Sequence, residues 1–579
     1  MIPRRTLKSR SSRRLVKFTT ASLLAVVGLV APTLGSAQDA SAPAILQYFE
    51  SRWDTIEDRT IDSFYAGYGG MWVPPPGRAD SGGFSVGYDV FDRFDLGSAN
   101  NETLYGTHRS FKAMTAQAEK AGVAVYADFI LNHNGISDNT RPGFIEAGDY
   151  PGFVLELPSD PYGDFHEPIF DGNDVKRFRL SGLIDLDQSK NYQFIRHPVD
   201  PNAPLNIPGG TFTAQAASHN ARFYTDQDLG GRTVFDPDLN QNVTGYDFNL
   251  DDPLAGDAIT ENALGLILRN ARWMIQEAGV DGFRLDAVKH FDPFVLEFFD
   301  QAVHDAAPRN LDGSHRRVFS FSEVFDGDFG LIQSYVQDVD RGLDQVGGHR
   351  DALDLPLFFA LRNNLTGNGV QNDWRNIKNA SFDINDDGLA NNGSQGVGHV
   401  SSHDAPGAEL SNVAHAFVLM RPGNANVYFN AKQFGEGRDF PKDGRGDALG
   451  GQFGDAVTTL VGIRNSHGRG NYLDRTPTGD EKETLIYERE RSALVVLSNR
   501  LDAGFDSRTV QTSFAPGTYL VELTGNAENS NIDPFNDFPE VLQVKADGTV
   551  DLRVLRNVAP DGDRHDSGYL IYGVAGPQG

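Results

Sequence analysis

The chain contains no cysteine among its 579 residues. Disulfide staples, thiolate metal sites and cysteine nucleophiles are thereby excluded. Positive charge is scarce: 51 Lys and Arg stand against 79 Asp and Glu, a net charge of −28. Such a surface repels nucleic acid and anionic membranes and suits a soluble protein that acts on a neutral substrate. Long apolar runs are lacking too. The run at residues 21–31 (ASLLAVVGLVA) is apolar but too short for a comfortable membrane span. Arg4, Arg5, Lys8, Arg10, Arg13, Arg14 and Lys17 precede it with no acid between them, and Gly35-Ser36-Ala37 offers small residues for cleavage. The pattern is that of a signal peptide over residues 1–37, and Ser12-Arg13-Arg14-Leu15-Val16-Lys17 resembles a twin-arginine export signal. A secreted or periplasmic protein is expected, with no membrane attachment once the leader is cut.

What is present is enough for a large core: 39% of residues are hydrophobic and 11% aromatic. Between residues 44 and 467, short apolar runs alternate with amphipathic stretches. Strands are expected at 45–49, 70–73, 123–130, 282–288, 318–324, 352–357, 398–402 and 426–430. Residues 104–121 and 262–278 read as helices. The second carries Leu264, Ile267, Ala271, Met274, Ile275 and Ala278 on one face and stops at Gly279. Eight strand-like runs, mostly separated by helical segments, predict an α/β fold, a parallel (β/α)8 TIM barrel. A stretch after strand 3, rich in Gly, Pro, Asp and Asn, is far longer than an ordinary loop and predicts an inserted domain. From about residue 470, short β-like runs between turn residues predict a C-terminal antiparallel β-sandwich. The expected boundaries are 44–133 and 248–467 for the barrel, 134–247 for the insertion and 470–579 for the sandwich.

Four segments place clustered polar residues at strand ends, where barrel chemistry resides. They are Asp128-Phe129-Ile130-Leu131-Asn132-His133, Arg284-Leu285-Asp286-Ala287-Val288-Lys289-His290, Phe319-Ser320-Phe321-Ser322-Glu323-Val324 and Val400-Ser401-Ser402-His403-Asp404. Taken singly, each has a plain structural explanation: a solvated rim, an ion pair or a cap. Four in barrel order point instead to two carboxyl groups flanking a glycosidic bond, one neutral and one ionised. Arg284 and Asp286 sit two apart on a strand and share a face, so the cation is expected to lower the Asp286 pKa. Glu323 follows an apolar stretch, and its burial is expected to raise its pKa.

These segments resemble the four ordered motifs of the α-amylase family of glycoside hydrolases, a retaining family on this barrel. The resemblance covers about residues 45–467 and implies roles by position. Asp286 matches the nucleophile, Glu323 the general acid/base, and Asp404 the carboxylate that binds sugar hydroxyls. Arg284, His133 and His403 match residues that hold the sugar. Tyr88, in Val86-Gly87-Tyr88-Asp89, matches a tyrosine that stacks on it. Lys289-His290 resembles the form found in α-amylases proper, with Lys289 on the leaving-group side. The family commonly holds a structural calcium. Asn132 matches its amide ligand, His290 a main-chain ligand, and Asp185 the inserted domain's aspartate, with the segments at 236–240 and 248–251 competing. Residues 383–388 begin like a calcium loop, but their twelfth position is Ser394 rather than the glutamate an EF-hand needs.

Ser322 and Ser402 depart from the family pattern, standing where relatives carry glycine and asparagine. The expected function is endo-cleavage of α-1,4-glucosidic bonds in starch, glycogen or maltooligosaccharides by a monomer. The open alternatives are an exo-acting hydrolase, a transglycosylase, a non-catalytic carbohydrate-binding protein and a barrel metallohydrolase using His133 and His403.

Overall fold

A computed structural model describes residues 41–135, 150, 152–167, 180, 182–190, 231–236, 241–246, 262–311, 316, 318–336, 349–368, 372–382, 395–436, 444–559 and 562–575. The expected signal peptide, the calcium-like loop at 383–388, the competing segment at 248–251 and most of 134–247 lie outside them. Among the described residues no helix is long and apolar enough to cross a membrane.

Eight parallel strands close into a barrel. They are β1 (Ile45–Phe49), β2 (Gly70–Val73), β3 (Ala124–Ile130), β4 (Gly282–Asp286), β5 (Phe319–Ser322), β6 (His349–Leu353), β7 (Gly396–His399) and β8 (Asn424–Asn430). Period-two alternation divides their side chains between two cores. Leu46, Met71, Val125, Phe283, Leu285 and Val427 face outward into the layer shared with the helices. Ile45, Phe49, Trp72, Phe321, Leu353, Val397 and Tyr428 fill the barrel interior. Neighbouring strands approach closely at Gly282, where a Cβ would collide with the Phe319 carbonyl.

The helix after β1, Trp53–Ala66, ends at Gly67, whose φ of 87° is the left-handed turn that glycine favours. His108–Ala121 starts later than the expected 104, because Thr107 and Ser110 form a capping box there. Ala263–Gln276 is capped by the Asn262 side chain and buries nearly every residue, with Arg269, Asn270 and Arg272 enclosed along with the expected apolar face. Two expected strands are misplaced, the one at 398–402 lying upstream as β7 (Gly396–His399) and the one at 352–357 being helical in part. Residues 355–357 belong not to a strand but to the helix Leu355–Asn364; β6 lies upstream at His349–Leu353. Asp354 accepts the Leu357 amide as N-cap, and Pro356 sits in the first turn. An apolar run preceded by such a start signal builds a helix. The strand expected at 282–288 also stops early, because Ala287 turns left-handed (φ 51°) and Val288–His290 forms a 3-10 turn.

Between β3 and β4, the described part of the insertion includes two hairpins. His133–Gly135 pairs with Leu183–Asp185, and Gly231–Asp236 pairs with Gln241–Tyr246. After the barrel come a six-stranded and a two-stranded antiparallel sheet. They share an apolar core that includes Ile486, Leu494, Val496, Val550, Leu552 and Leu570. The sandwich expectation holds. Strands at Tyr472–Asp474, Phe505–Gln511 and Thr549–Leu555 were not foreseen: the first two show no regular alternation, whereas in the third Val550, Leu552 and Val554 alternate with polar residues, a legible strand signal that was missed.

Candidate active site

The polar strand ends converge at one mouth of the barrel. A cavity of about 470 Å³ there is lined by Tyr88, His133, Asp286, Ala287, Lys289, His290, Glu323, Phe325, His403 and Asp404, together with Leu180 and Leu183. At its floor the Arg284 guanidinium is fully buried. Its Nη1 lies 2.6 Å from Asp286 Oδ1 and 2.8 Å from Asp128 Oδ1, and its Nη2 lies 2.8 Å from Glu323 Oε2. One planar cation therefore joins three carboxylates that enter on three strands. The contact between Arg284 and Asp286 is the shared strand face that their two-residue spacing requires.

The turn after β4 completes this arrangement. Asp286 ends the strand, and left-handed Ala287 aims its amide at Glu323 Oε2, 3.1 Å away. The Glu323 amide donates to Leu285 O, tying the two strand ends together. Oε2 of Glu323 is thus held by two cationic or N–H partners.

Burial raises the pKa of both Asp286 and Glu323, with Arg284 opposing it in each case and Asp404 adding to it. The depression expected for Asp286 is therefore not found: removing a carboxylate from water outweighs the adjacent cation. Arg284 Nη1 donates to Asp286 at 2.6 Å and its Nη2 lies 2.8 Å from Glu323 Oε2, so the same cation opposes the raised pKa of each. Three carboxylates sharing one guanidinium cannot easily all ionise, so the cluster retains a proton.

The far wall is aromatic. The Tyr88 and His403 rings stack at 5.3 Å and 4°. Tyr88 OH donates to Asp128 Oδ2 at 2.7 Å, and Trp72 Nε1 donates to the same oxygen at 3.1 Å. Burial pushes Asp128 up to about 7 against the pull of Arg284. His133 Nε2 is 3.1 Å from the Tyr88 carbonyl and 3.9 Å from Asp286 Oδ2. Burial lowers both His133 and His403 to about 3, so each ring is neutral at ordinary pH. Asp404 is the most open carboxylate, its side chain 39% exposed, with Oδ2 3.3 Å from His403 Nε2. The two departures from the family pattern have local structural roles. Ser402 Oγ accepts the Asp404 amide, and Ser322 Oγ donates to Tyr335 O. Lys289 lies at the rim, its Nζ donating to Phe325 O at 2.8 Å.

The residues expected around calcium lie beside this cleft. The hairpin register sets Asp185 opposite His133, one residue from Asn132, and Leu186 N donates to Asn132 O. The side-chain oxygen of Asn132 is fully buried with no hydrogen-bond partner, and Asp185 is 2% exposed. His290 is close enough to His133 to influence its charge. Among the described residues no three His, Asp or Glu side chains form a metal cage. A hard cation here would draw on amide and main-chain oxygens beside Asp185, a donor set that suits calcium.

Sequence reasoning placed Asp128 in the first polar segment but gave it no role, and it passed over Gln47, Trp72 and Phe325. Asp128 carried a signal: a carboxylate inside the apolar run of β3 needs a buried partner, and the β3–β4 register places Arg284 opposite it. Gln47 and Trp72 carried none, being single residues whose partners arrive from remote parts of the chain.

No family model matches the chain. It is 24% identical over 413 residues to a glucan 1,4-alpha-maltohexaosidase of Bacillus sp. (strain 707), spanning 66% of this chain and 70% of that protein. It is 24% identical over 450 residues to an alpha-amylase of Geobacillus stearothermophilus, spanning 72% and 71%. Among solved structures, the alpha-amylase of Geobacillus thermoleovorans complexed with acarbose matches with a TM-score of 0.54 at 16% identity, over 92% of this chain and 98% of that one. The closed barrel is the fold of these solved amylases, and over two thirds of its length the chain is similar in sequence to alpha-amylases and a maltohexaosidase, glycoside hydrolases that act on α-glucans.

Proposed function

We propose that this protein is a retaining, endo-acting hydrolase of α-1,4-glucosidic bonds in starch, glycogen or maltooligosaccharides. One observation carries the proposal: a single buried guanidinium holds Asp286 and Glu323 together. That puts the two carboxyl groups a few ångströms apart, on the scale of the roughly 5 Å that double displacement requires. Ionised Asp286 attacks the anomeric carbon. Glu323 gives its proton to the glycosidic oxygen from Oε1, since Oε2 is already engaged by Arg284 and the Ala287 amide. The glycosyl ester on Asp286 is then opened by water, which Glu323 deprotonates as it regains its proton.

Tyr88 and His403 form the stacking wall for the sugar at the cleavage point, and His133 and Asp404 hold its hydroxyls. Lys289 and the exposed Phe325 serve the leaving-group side. The relatives named as amylase and maltohexaosidase, and the acarbose complex of a solved neighbour, support an α-glucan as substrate. Calcium held by Asn132, Asp185 and the His290 main chain would brace the insertion against the cleft. Chelation should then lower the melting temperature by several degrees, and an unchanged melting curve in metal-free protein would refute that site. The basic and apolar leader at residues 1–37 supports export to the periplasm or medium.

The decisive experiment compares products from amylose, pullulan and maltotriose. Rapid loss of iodine colour with a spread of oligosaccharides from amylose is expected. A single dominant product or new linkages would replace endo-hydrolysis by exo-action or transglycosylation. No cleavage at all would overturn the glycosidase reading.

A further inference from the structure

We infer that Gln47 is a positioning residue that stabilises the Nε2–H tautomer of His403 by donating to its bare Nδ1 and, through it, supports the hydrogen-bond direction of the sugar-holding wall. The inference rests on the proposed use of that wall and adds a residue of β1 that lies against it.

Gln47 is fully buried in β1. Its Nε2 lies 2.8 Å from His403 Nδ1, and its Oε1 accepts from Asn426 Nδ2 at 3.2 Å. The other ring nitrogen meets acceptors only. Tyr88 OH lies 2.8 Å from His403 Nε2 but gives its single proton to Asp128, so it turns a lone pair toward the ring. Asp404 Oδ2, 3.3 Å away, is a carboxylate oxygen. Two acceptors at Nε2 require the ring proton there. A neutral imidazole has only one such proton, which leaves Nδ1 bare and in need of a donor. The Gln47 amide supplies it.

No other side chain type of this size does the same work. An amide donates to the ring on one end and accepts from Asn426 on the other. A carboxylate at position 47 could only accept, and would draw the proton to Nδ1. An apolar side chain would leave Nδ1 unpaired. Packing does not make this choice, since Phe49 at 4.8 Å, Trp72 at 5.8 Å and Tyr88 at 5.3 Å fix the ring's place but not its proton. The chain of donors therefore runs Gln47 to His403 to Tyr88 to Asp128, where Arg284 also arrives. Reversing its first link reverses what Tyr88 and His403 can offer a sugar hydroxyl.

The test uses the full-length protein with 15N-labelled histidine, the His403 signals being identified by their loss in His403→Asn. The wild type should show a protonated Nε2 and a bare Nδ1. Gln47→Met, which keeps the volume and removes the donor, should leave Nε2 protonated and Nδ1 bare without a partner, so that the Nδ1 signal shifts to that of an unbonded imidazole nitrogen. It should also lower kcat/KM on maltohexaose about 10- to 100-fold, mainly in kcat, while the fold persists. Gln47→Glu should move the proton to Nδ1 outright; if burying that charge prevents folding, Gln47→Met still decides. A wild-type ring protonated at Nδ1 would overturn the inference. So would an unchanged ring signature in Gln47→Met, even with activity lost, since that would assign Gln47 to packing alone. A wild type inert on maltohexaose would instead count against the glycosidase reading, and the ring signature would remain interpretable.

Discussion

The barrel interior and the core of the C-terminal sandwich are both sealed from water, yet they are built from opposite materials. Between the two sheets lie Leu494, Val496, Val550, Leu552 and Leu570, with no charge among them. Inside the barrel, Arg284, Asp128 and Gln47 are each 2% exposed or less and sit among Trp72, Phe321 and Tyr428. Burying apolar side chains stabilises a fold at little risk, whereas burying charge costs several kcal/mol unless every charge is paired. The sandwich follows the first course. The barrel mouth accepts the second, because the reaction needs carboxylates whose pKa values burial can raise.

The sharpest way to break the comparison is to remove a charge that serves chemistry. Asp286→Asn should lower kcat on a maltooligosaccharide by at least about 1,000-fold, roughly 4 kcal/mol of barrel-mouth stabilisation of the transition state. Its folded state should be as stable as the parent or more so. The sign follows from the raised pKa of Asp286: the ionised form is disfavoured in the folded state, so the native protein loses stability as pH rises from the ordinary carboxylate range through the raised value. An amide escapes that loss, and its advantage in melting temperature should grow toward neutral pH. Near-normal turnover would remove Asp286 as nucleophile.

Arg284→Met should act in the reverse sense, leaving Asp128, Asp286 and Glu323 without their shared cation. About 3–5 kcal/mol of stability should be lost by denaturant titration. The loss should shrink at acid pH, where the carboxylates take up protons. A pH-independent loss would argue that Arg284 acts by packing.

Leu494→Ala tests the other core. It is fully buried in the sandwich and should lose about 2–4 kcal/mol through the cavity left behind. That loss should depend little on pH, and kcat should hold while the domain stays folded.

The smallest effect is expected at Ala287, which keeps a left-handed backbone beside the nucleophile. Ala287→Gly should change stability by less than about 1 kcal/mol, while the β-branched Ala287→Val should destabilise by about 1–2 kcal/mol. Equal behaviour of the two in a thermal melt would show that the turn is not strained.

Much of this architecture could be read before any coordinates. Alternating apolar runs predicted the barrel, and the polar strand ends named the residues that line its cleft, because strand periodicity is local and barrel chemistry gathers at one end. Asp354-Leu355-Pro356 misled only because an apolar run does not itself distinguish a strand from a helix core. Of the sandwich strands that went unseen, Phe505–Gln511 lacked a regular pattern, whereas Thr549–Leu555 carried a plain alternation of Val550, Leu552 and Val554 with polar residues. The sequence by itself determined which carboxylates are available, the shared strand face of Arg284 and Asp286, and the acidity of the chain. Tertiary structure alone decided that Arg284 also grips Glu323 and Asp128, that burial outweighs that cation at Asp286, and that Gln47 meets His403 across 356 residues of chain. Dehydration and long-range hydrogen bonds depend on what the whole fold brings together, and no local pattern of residues encodes them.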